Sequence, residues 1–233
     1  NLRQLIVPCA LMALPALLIL KQPDLGTAVM VLVVGVSIIL VNGVKLFSLG
    51  AATAAFLGAL PLVWGFLKDY QKRRIFSFLD PESDPLGASY HLIQSKIAVG
   101  SGQFMGKGWM AGTQSQLHFL PEQHTDFAFS VLAEEWGFVG TVLVLVLLAA
   151  VVYRGLVQAL RAKDRLGMLM VVGATACVFW PAFINVGMVL GMFPVVGIPL
   201  PFISYGGSSL ITTMAGLGLI QSVAMRRFVF RRQ

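Results

Sequence analysis

The sequence has few charged residues and only two cysteines. Lys, Arg, Asp and Glu make up 12% of the 233 residues, whereas 57% are hydrophobic, and the mean hydropathy is +0.83. A soluble domain of this length cannot bury so much apolar surface, so the composition indicates a membrane protein. Cys9 and Cys177 both fall in apolar segments. They provide no disulfide framework and no metal-ligand spacing, and a packing role is the favoured interpretation.

The excess of basic residues does not follow the pattern of a nucleic-acid-binding protein. The formal net charge is +7, but the basic residues lie mainly beside the apolar segments. No basic stripe interleaved with aromatic residues is present. We therefore expect a membrane environment and no nucleic-acid partner.

Six apolar segments approach or exceed the length that a helix needs to cross a bilayer. The predicted spans cover residues 5–20, 25–41, 46–67, 128–153, 166–192 and 207–225. The sequence therefore predicts an all-α, polytopic membrane protein that forms a single membrane domain over residues 1–233. One long loop, residues 68–127, separates the third span from the fourth.

The distribution of charge predicts the orientation of these spans. An even number of spans places both ends on one side, and that side collects ten of the 17 Lys and Arg residues but only one acid, Asp164. The positive-inside rule then places both termini in the cytoplasm and the 68–127 loop outside. The chain begins at Asn1 without an initiator Met or a signal peptide, so we also expect it to lack an N-terminal part.

Three segments on the outer side are polar or rich in glycine and proline. They are residues 21–26, 68–127 and 193–209. Irregular backbone at membrane depth is tolerated where protein buries it or where a water-filled cavity lies beside it. We expect the three segments to line one outward-facing cavity.

Asp126 is the residue that most strongly indicates chemistry, because an ionisable side chain at the mouth of a membrane span is costly to keep there. Thr125 is predicted to cap the following helix, with Asp126 in its first turn, where the helix dipole favours a negative charge. Ser130, Ala133 and Gly137 are expected on the same face and would leave room for an approaching group. Catalysis and structural capping explain Asp126 about equally well at this point.

Signals for metal binding are weak. His124 lies beside Asp126, but no nucleophile motif and no His-x-x-x-His pair accompanies it, so a surface histidine is the favoured interpretation. Residues 80–85 (DPESDP) contain three acids and two prolines, which is typical of a solvated turn. Hard cations prefer oxygen ligands, but this spacing matches no metal-binding loop.

Residues 91–99 are predicted to form a short amphipathic helix on the membrane surface, stopped by Gly100. Its Ser95 is expected to face water together with Gln94 and Lys96. Trp109 fits an ordinary interfacial aromatic belt, and no function is assigned to it.

Three separated segments resemble the signatures of the shape, elongation, division and sporulation (SEDS) family. They are KQPDLGT at 21–27, HTDF at 124–127 followed by Glu134 and Glu135, and PFISYGGS at 201–208. DPESDPLG at 80–87 and GTQSQL at 112–117 resemble the elongation branch, RodA, more than the division branch, FtsW. The resemblance covers the whole chain and implies a ten-span protein of which these six spans are the last.

The resemblance implies a bacterial inner-membrane enzyme that polymerises lipid II into glycan strands for rod-shape elongation. In this inverting transfer, the 4-hydroxyl of the acceptor's N-acetylglucosamine attacks C1 of the donor's N-acetylmuramic acid, and undecaprenyl diphosphate leaves. The family's essential aspartate matches Asp126, which would act as general base. The implied partners are a class B penicillin-binding protein, which is a transpeptidase, and other cell-elongation proteins.

Substrate-binding residues are expected among the polar side chains of the outer segments. Positive charge for the departing diphosphate would come from a lysine (Lys21, Lys96 or Lys107) or from a divalent cation, Mg²⁺ or Mn²⁺. The sequence does not choose among these sources, and it assigns no metal ligands. The predicted substrate-binding set is Lys21, Asp24, Gln94, Lys96, Lys107, His124, Thr125 and Ser204.

Two other functions stay open, a lipid II transporter (flippase) and a non-catalytic scaffold for a transpeptidase. A transporter would carry polar groups near the bilayer midplane. Here the acids cluster at the outer face, which favours the enzyme. A scaffold would tolerate the loss of Asp126.

Overall fold

A computed structural model of the chain describes residues 2–22, 24–43, 68–80, 89–117, 119–120 and 122–226, together with Gly50, Gly58 and Gly65. The residues in these ranges form helices joined by turns and contain no β-strand, which confirms the all-α prediction. The helices are α1 (Leu2–Lys21), α2 (Leu25–Val41), α3 (Asp69–Leu79), α4 (Tyr90–Ser101), α5 (Thr113–Gln116), α6 (Ala128–Leu160), α7 (Arg165–Val189) and α8 (Gly207–Arg226).

Three of these helices, α6, α7 and α8, are long and apolar enough to cross a membrane. They agree with the spans predicted at 128–153, 166–192 and 207–225. The first two predicted spans correspond to the shorter apolar helices Ile6–Lys21 and Leu25–Val41. The span predicted at 46–67 and the acidic turn predicted at 80–85 lie almost entirely outside the described residues.

Helix α7 lies at the centre of the bundle and packs against α2, α6 and α8, while α1 packs against α2. The Arg165 guanidinium joins the end of α2 to the start of α7, because its Nε donates to Asn42 Oδ1 at 2.9 Å and its Nη2 to Asn42 O at 2.6 Å. These two ends therefore lie on one side of the bundle. Asp24, at the start of α2, lies on the opposite side with the segment that follows α7.

One face of helix α4 is buried against other helices while Lys96 and Ile97 remain exposed, and the prediction that Ser95 faces water is wrong. The helix packs against α6 and α7, and its Leu92 and Ser95 are buried. Ser95 Oγ donates to the Val189 carbonyl at 2.9 Å and lies 2.9 Å from Ser130 Oγ. The neighbouring helices thus supply the polar partners that water would otherwise provide.

Helix α6 is broken at Gly137, which has φ 64° and ψ −161°. A break in a helix frees backbone groups that need other partners. Residues 103–108 supply these partners through four hydrogen bonds, Lys107 N to Glu134 O (3.0 Å), Gly108 N to Glu135 O (3.0 Å), Phe138 N to Gln103 O (2.9 Å) and Val139 N to Phe104 O (3.2 Å). The outer loop is therefore docked onto α6 through backbone atoms.

An apolar cluster beneath the outer segments fixes them to the bundle. Leu120 and Phe127, at the two ends of the approach to α6, pack with Met188 of α7 and Leu200 of the following segment. All four side chains are almost fully buried. Burying a large apolar side chain contributes about 1.5–3 kcal/mol, so this cluster holds the polar turn at residues 122–127 in a defined place.

Candidate active site

Asp126 lies in a turn over residues 122–127 that precedes α6, and the prediction that Thr125 caps this helix is wrong. The helix begins at Ala128, with Phe127 in the capping position. Thr125 instead donates from its hydroxyl to Glu122 Oε2 at 2.9 Å. Tight turning of residues 122–127, with Phe127 N donating to Glu122 O at 3.1 Å, keeps Asp126 outside the regular helix.

A buried amide side chain fixes the backbone of Asp126. Asn185, fully buried in α7, donates from Nδ2 to Asp126 O at 2.8 Å and to Ile198 O at 2.6 Å. One side chain therefore binds both the acidic turn and the irregular segment that follows α7. Asn185 is a polar residue within an apolar span, which is the signal that could have identified it from the sequence.

Two further contacts join the same two segments. Ser204 Oγ donates to the Thr125 carbonyl and accepts from Leu200 N at 2.8 Å. The Tyr205 backbone N–H donates to the His124 carbonyl at 2.8 Å. Thr125 and Ser204, both predicted to bind substrate, thus contribute to a junction that positions Asp126.

The Asp126 carboxylate lies against Gly197. A Cβ placed on Gly197 would be 3.2 Å from Asp126 Oδ2, and Gly197 has φ +69°, a conformation that L side chains rarely adopt. Gly197 in turn lines a cavity of about 310 Å³. The carboxylate therefore lies next to Gly197 and close to this cavity, although Asp126 is not one of the residues that line it.

This polar cavity takes its walls from three separate parts of the chain. Its lining residues are Asp24, Leu25, Gln71, Arg74, Ile75, Pro194, Val195, Val196 and Gly197. The prediction that segments 21–26, 68–127 and 193–209 line one cavity is thereby confirmed. Asp24 is also the N-cap of α2, since its Oδ1 accepts from Thr27 N at 3.0 Å.

The environment of Asp126 raises the pKa of its carboxyl group above the usual 3.8. Burial is the main cause, because removal from water disfavours the charged form, and the nearby Glu122 adds to it by like-charge repulsion. Arg74 acts in the opposite direction and is the weakest of the three influences. The prediction that Asp126 lies in the first turn of the helix, where the dipole would favour its charge, is wrong, because the helix begins at Ala128.

The helix face below Asp126 does not offer the room that its small residues suggest. Ser130, Ala133 and Gly137 are all buried. Gly102 lies so close to the Ala133 carbonyl that a Cβ there would overlap it, and Gly137 packs in the same way against Gly106. The small residues therefore admit the neighbouring backbone, and the open space is on the Gly197 side.

Lys107, one of the predicted diphosphate ligands, has partners inside the protein. Its Nζ lies 2.7 Å from Oε1 of the fully buried Glu134 and 2.8 Å from Thr113 Oγ1. Thr113 Oγ1 and the Gln114 backbone N–H also donate to Glu134 Oε1, at 3.1 and 3.0 Å. The structure thus makes Lys107 part of the anchor between the outer loop and α6.

The other predicted residues lie apart from the polar cavity. Lys21 is exposed at the end of α1, and Gln94 is half-buried in α4. The exposed Lys96 lays its aliphatic chain against Gly191. His124 is exposed and lines a different cavity. Among the residues that the structure describes, no three His, Cys, Asp or Glu side chains converge as a metal site.

Two residues of the polar cavity were absent from the predicted set, Gln71 and Arg74. Both are on α3, and Gln71 is buried, with its Oε1 accepting from Lys68 N at 3.0 Å. The signal for Arg74 was a basic pair with Arg73 on the side that the charge distribution predicts to be outside, where the positive-inside rule disfavours basic residues. Such a pair indicates a local need for positive charge.

Comparisons with known proteins identify close relatives. The sequence model of the FtsW/RodA/SpoVE family, described as a cell cycle protein, matches residues 1–228. The peptidoglycan glycosyltransferase MrdB of Escherichia coli K12 is 49% identical over 222 residues, which cover 95% of this chain and 60% of the relative. The peptidoglycan glycosyltransferase RodA of Treponema pallidum is 44% identical over 181 residues, covering 78% of this chain and 42% of the relative.

Solved structures show the same fold. A chain of a peptidoglycan synthase complex that coordinates polymerization and crosslinking superposes with a TM-score of 0.79 at 36% identity, covering 97% of this chain and 62% of its own length. The rod shape determining protein RodA of Thermus thermophilus gives 0.63 at 31% identity, with 96% and 57% covered. The present chain thus spans about 60% of the length of the first curated relatives.

Proposed function

This chain belongs to the FtsW/RodA/SpoVE family of cell cycle proteins, and we propose that the whole protein is a peptidoglycan glycosyltransferase. It would polymerise lipid II into glycan strands at the outer face of the bacterial cytoplasmic membrane, for rod-shape elongation. The names of the MrdB and RodA relatives support the activity. The observation that carries the proposal is the half-buried Asp126 carboxylate beside a cavity that Arg74 lines.

In the proposed reaction, Asp126 is the general base. The 4-hydroxyl oxygen of the acceptor's N-acetylglucosamine forms a bond to C1 of the donor's N-acetylmuramic acid, and its proton passes to the Asp126 carboxylate. The bond from C1 to the diphosphate oxygen breaks with inversion, and undecaprenyl diphosphate leaves with the electron pair. A raised pKa makes Asp126 a stronger base than an exposed aspartate, and general-base catalysis typically contributes about 10²–10⁴-fold in rate.

Arg74 is the protein cation that we assign to the departing diphosphate. It lines the polar cavity, and its charge reaches Asp126, whose pKa it lowers. A guanidinium binds phosphate oxygens in a bidentate manner and stays charged at all physiological pH values. It would offset the negative charge that develops as the bond from C1 to the diphosphate breaks.

Partners and location follow from the same family membership. A solved relative comes from a peptidoglycan synthase complex, which supports a transpeptidase partner of the class B penicillin-binding type for the whole protein. Other cell-elongation proteins are further proposed partners. The charge asymmetry supports an inner-membrane orientation with both ends of this chain in the cytoplasm.

The test is glycan polymerisation from purified lipid II by the full-length protein with its transpeptidase partner. We expect Asp126→Asn, a near-isosteric change, to reduce strand formation by at least about 100-fold, in line with the loss of a general base. The matched control is Asp69→Asn, the same change at an exposed acid of α3 that does not line the polar cavity. We expect this control to polymerise lipid II at nearly the native rate.

The alternatives give different results in the same system. If Asp126→Asn forms strands at the native rate, Asp126 is not the base, and the site assignment is wrong. A flippase would move lipid II across vesicle membranes without making strands. A scaffold would support transpeptidation and rod-shaped growth with Asp126→Asn in place.

A further inference from the structure

A second cavity, of about 540 Å³, is lined by Gln123 and His124 of the 122–127 turn. The rest of its wall is formed by Trp109 of the 68–127 loop, the first part of α6, residues 202–207 and Leu210 of α8. We call it the aromatic cleft and define it by Trp109, Gln123, His124, Glu135, Trp136 and Tyr205, all of which line it or its rim. Its volume lies within the range of about 300–1,000 Å³ that is usual for ligand sites.

Three large aromatic side chains surround this cleft and remain exposed. Trp109 is 74% exposed, Trp136 51% and Tyr205 81%. The two indole rings meet edge to face with their centroids 6.4 Å apart, so they present faces in different directions. An interfacial aromatic belt explains single exposed rings. It does not explain why rings from three separate segments converge on one cavity.

The polar side chains of the cleft include the Glu135 carboxylate, the Gln123 amide, the His124 imidazole and the Ser204 and Tyr205 hydroxyls. No Lys or Arg is among the described residues that line it. The carboxylate can accept hydrogen bonds from the hydroxyl or amide N–H groups of a ligand.

The backbone of the cleft wall is also strained. Phe202 has φ +67°, in the region that a bulky L residue rarely adopts, and it lines the cleft. Strain of this kind persists where the surrounding structure imposes it, and such positions concentrate at ligand sites. The adjacent Ser204 and Tyr205 fix this segment to the 122–127 turn by the bonds already described.

We propose that the aromatic cleft binds N-acetylhexosamine units of a glycan strand. The apolar C–H faces of such sugars pack on indole and phenol rings, while their hydroxyl and amide N–H groups donate to the Glu135 carboxylate. A carboxylate with no Lys or Arg among the described lining residues disfavours a phosphate headgroup as the occupant. The identity of the sugar rests on the proposed function, since the 122–127 turn carries Asp126 as well as the cleft residues Gln123 and His124.

In this arrangement the cleft would hold the strand beside the reacting centre. His124 in the cleft and Asp126 at the polar cavity are two residues apart in one turn. A strand retained there stays close to Asp126 between successive additions, which favours the extension of one strand over the start of another. Loss of the cleft should therefore shorten the strands.

The first test measures binding without catalysis. The full-length protein in nanodiscs is titrated with a lipid-free tetrasaccharide of alternating N-acetylglucosamine and N-acetylmuramic acid, and binding is followed by saturation-transfer difference NMR. We expect Trp109→Ala and Tyr205→Ala each to weaken binding at least about fivefold. Phe104→Ala is the matched control, because Phe104 is also exposed, at 64%, but stacks on Phe138 away from the cleft. It should change the binding constant less than about twofold.

The second test measures the length of strands made from lipid II. We expect Trp109→Ala to shorten the strands and Phe104→Ala to leave their length unchanged. Equal tetrasaccharide binding by the native protein, Trp109→Ala and Tyr205→Ala would overturn the proposal. Binding of glycerol phosphate in place of the tetrasaccharide would also overturn it and would identify a lipid headgroup site. If the native protein makes no strands, the proposed function fails, while the titration still decides whether the cleft binds sugar.

Discussion

The Asn185 side chain holds Asp126 by its backbone and leaves the carboxylate available to the polar cavity. Its Nδ2 donates to the Asp126 carbonyl at 2.8 Å and to the Ile198 carbonyl at 2.6 Å. The carboxylate faces Gly197, one residue before Ile198. A single buried amide therefore sets the position of the acid relative to the segment it faces.

Replacing this amide should affect both stability and activity. Asn185→Leu leaves two buried carbonyl groups without their donor, and each such loss costs about 1–3 kcal/mol. We expect a lower Tm and a polymerisation rate reduced at least about tenfold, because a small displacement of a catalytic group is costly. Thr175→Val is the control, since the buried Thr175 hydroxyl donates only to Val171 O within its own helix at 2.8 Å. Native activity in Asn185→Leu would show that the two hydrogen bonds from Asn185 are not needed to position Asp126.

The raised pKa of Asp126 predicts how its replacement changes stability with pH. The fold disfavours the charged carboxylate, so the penalty is fully present above the folded-state pKa and disappears below 3.8, where the unfolded chain is also protonated. Asp126→Asn should therefore raise the free energy of unfolding at pH 7, by the about 0.5–2 kcal/mol that is typical of stabilising substitutions. The melting temperature should rise accordingly. The gain should shrink as the pH falls towards 3.8. A less stable Asn variant at pH 7 would mean that the ionised acid stabilises the turn.

Arg74 should govern substrate affinity. Hydrogen bonds to charged groups contribute about 1.5–3 kcal/mol, so Arg74→Ala should raise KM for lipid II and also lower kcat, with kcat/KM reduced at least about tenfold. The acid limb of the pH–rate profile should also move to higher pH, because Arg74 lowers the pKa of Asp126. Arg73→Ala is the matched control, since Arg73 is its exposed neighbour and does not line the polar cavity. Equal KM values in the two variants would contradict the assignment.

Gly197 should tolerate no side chain. Gly197→Ala forces an L residue into φ +69° and brings its Cβ to 3.2 Å from Asp126 Oδ2. The backbone strain costs about 1–2 kcal/mol, and the contact should displace the carboxylate and lower kcat at least about tenfold. Gly43→Ala separates the two effects, because Gly43 has φ +86° with nothing within 4 Å. Gly43→Ala should lower Tm but leave the rate of lipid II turnover at the native value.

The Lys107–Glu134 pair should show strong coupling. Lys107→Met leaves the fully buried Glu134 without its cation, and removal of one partner of a buried pair costs about 3–5 kcal/mol. The 27% exposure of the Lys107 side chain places the expected value near the lower end. Adding Glu134→Gln should recover part of the loss, which a double-mutant cycle of unfolding free energies would measure. Additive losses would show that the pair is not coupled.

The sequence predicted those features that depend on local pattern. The apolar run that starts at residue 128 marks the start of α6, and the polar segments before α2, before α6 and after α7 do share a cavity. Asp126 was found because a charge at the edge of a span is conspicuous by itself. Each of these signals lies within a short stretch of the chain.

The residues that were missed depend on contacts between distant segments. Asn185 lies 59 positions from Asp126, and no pattern around it specifies which carbonyls it binds. The local pattern predicts that Ser95 faces water, but α6 and α7 bury it. The local pattern also makes Lys107 a candidate phosphate ligand, but Lys107 forms an ion pair with the fully buried Glu134. Burial and pairing of polar groups are properties of the assembled bundle, so a local reading of the sequence cannot supply them.

The docking of residues 103–108 onto the break in α6 has a consequence for sequence variation. All four hydrogen bonds join backbone to backbone, so the side chains at positions 103, 104 and 105 take no part in them. Gly106 and Gly137 face each other so closely that a Cβ on either would overlap the backbone of the other. Positions 104 and 105 can therefore change their side chains while the backbone path is kept by Gly106, Gly137 and the positive φ of 49° at Gln103.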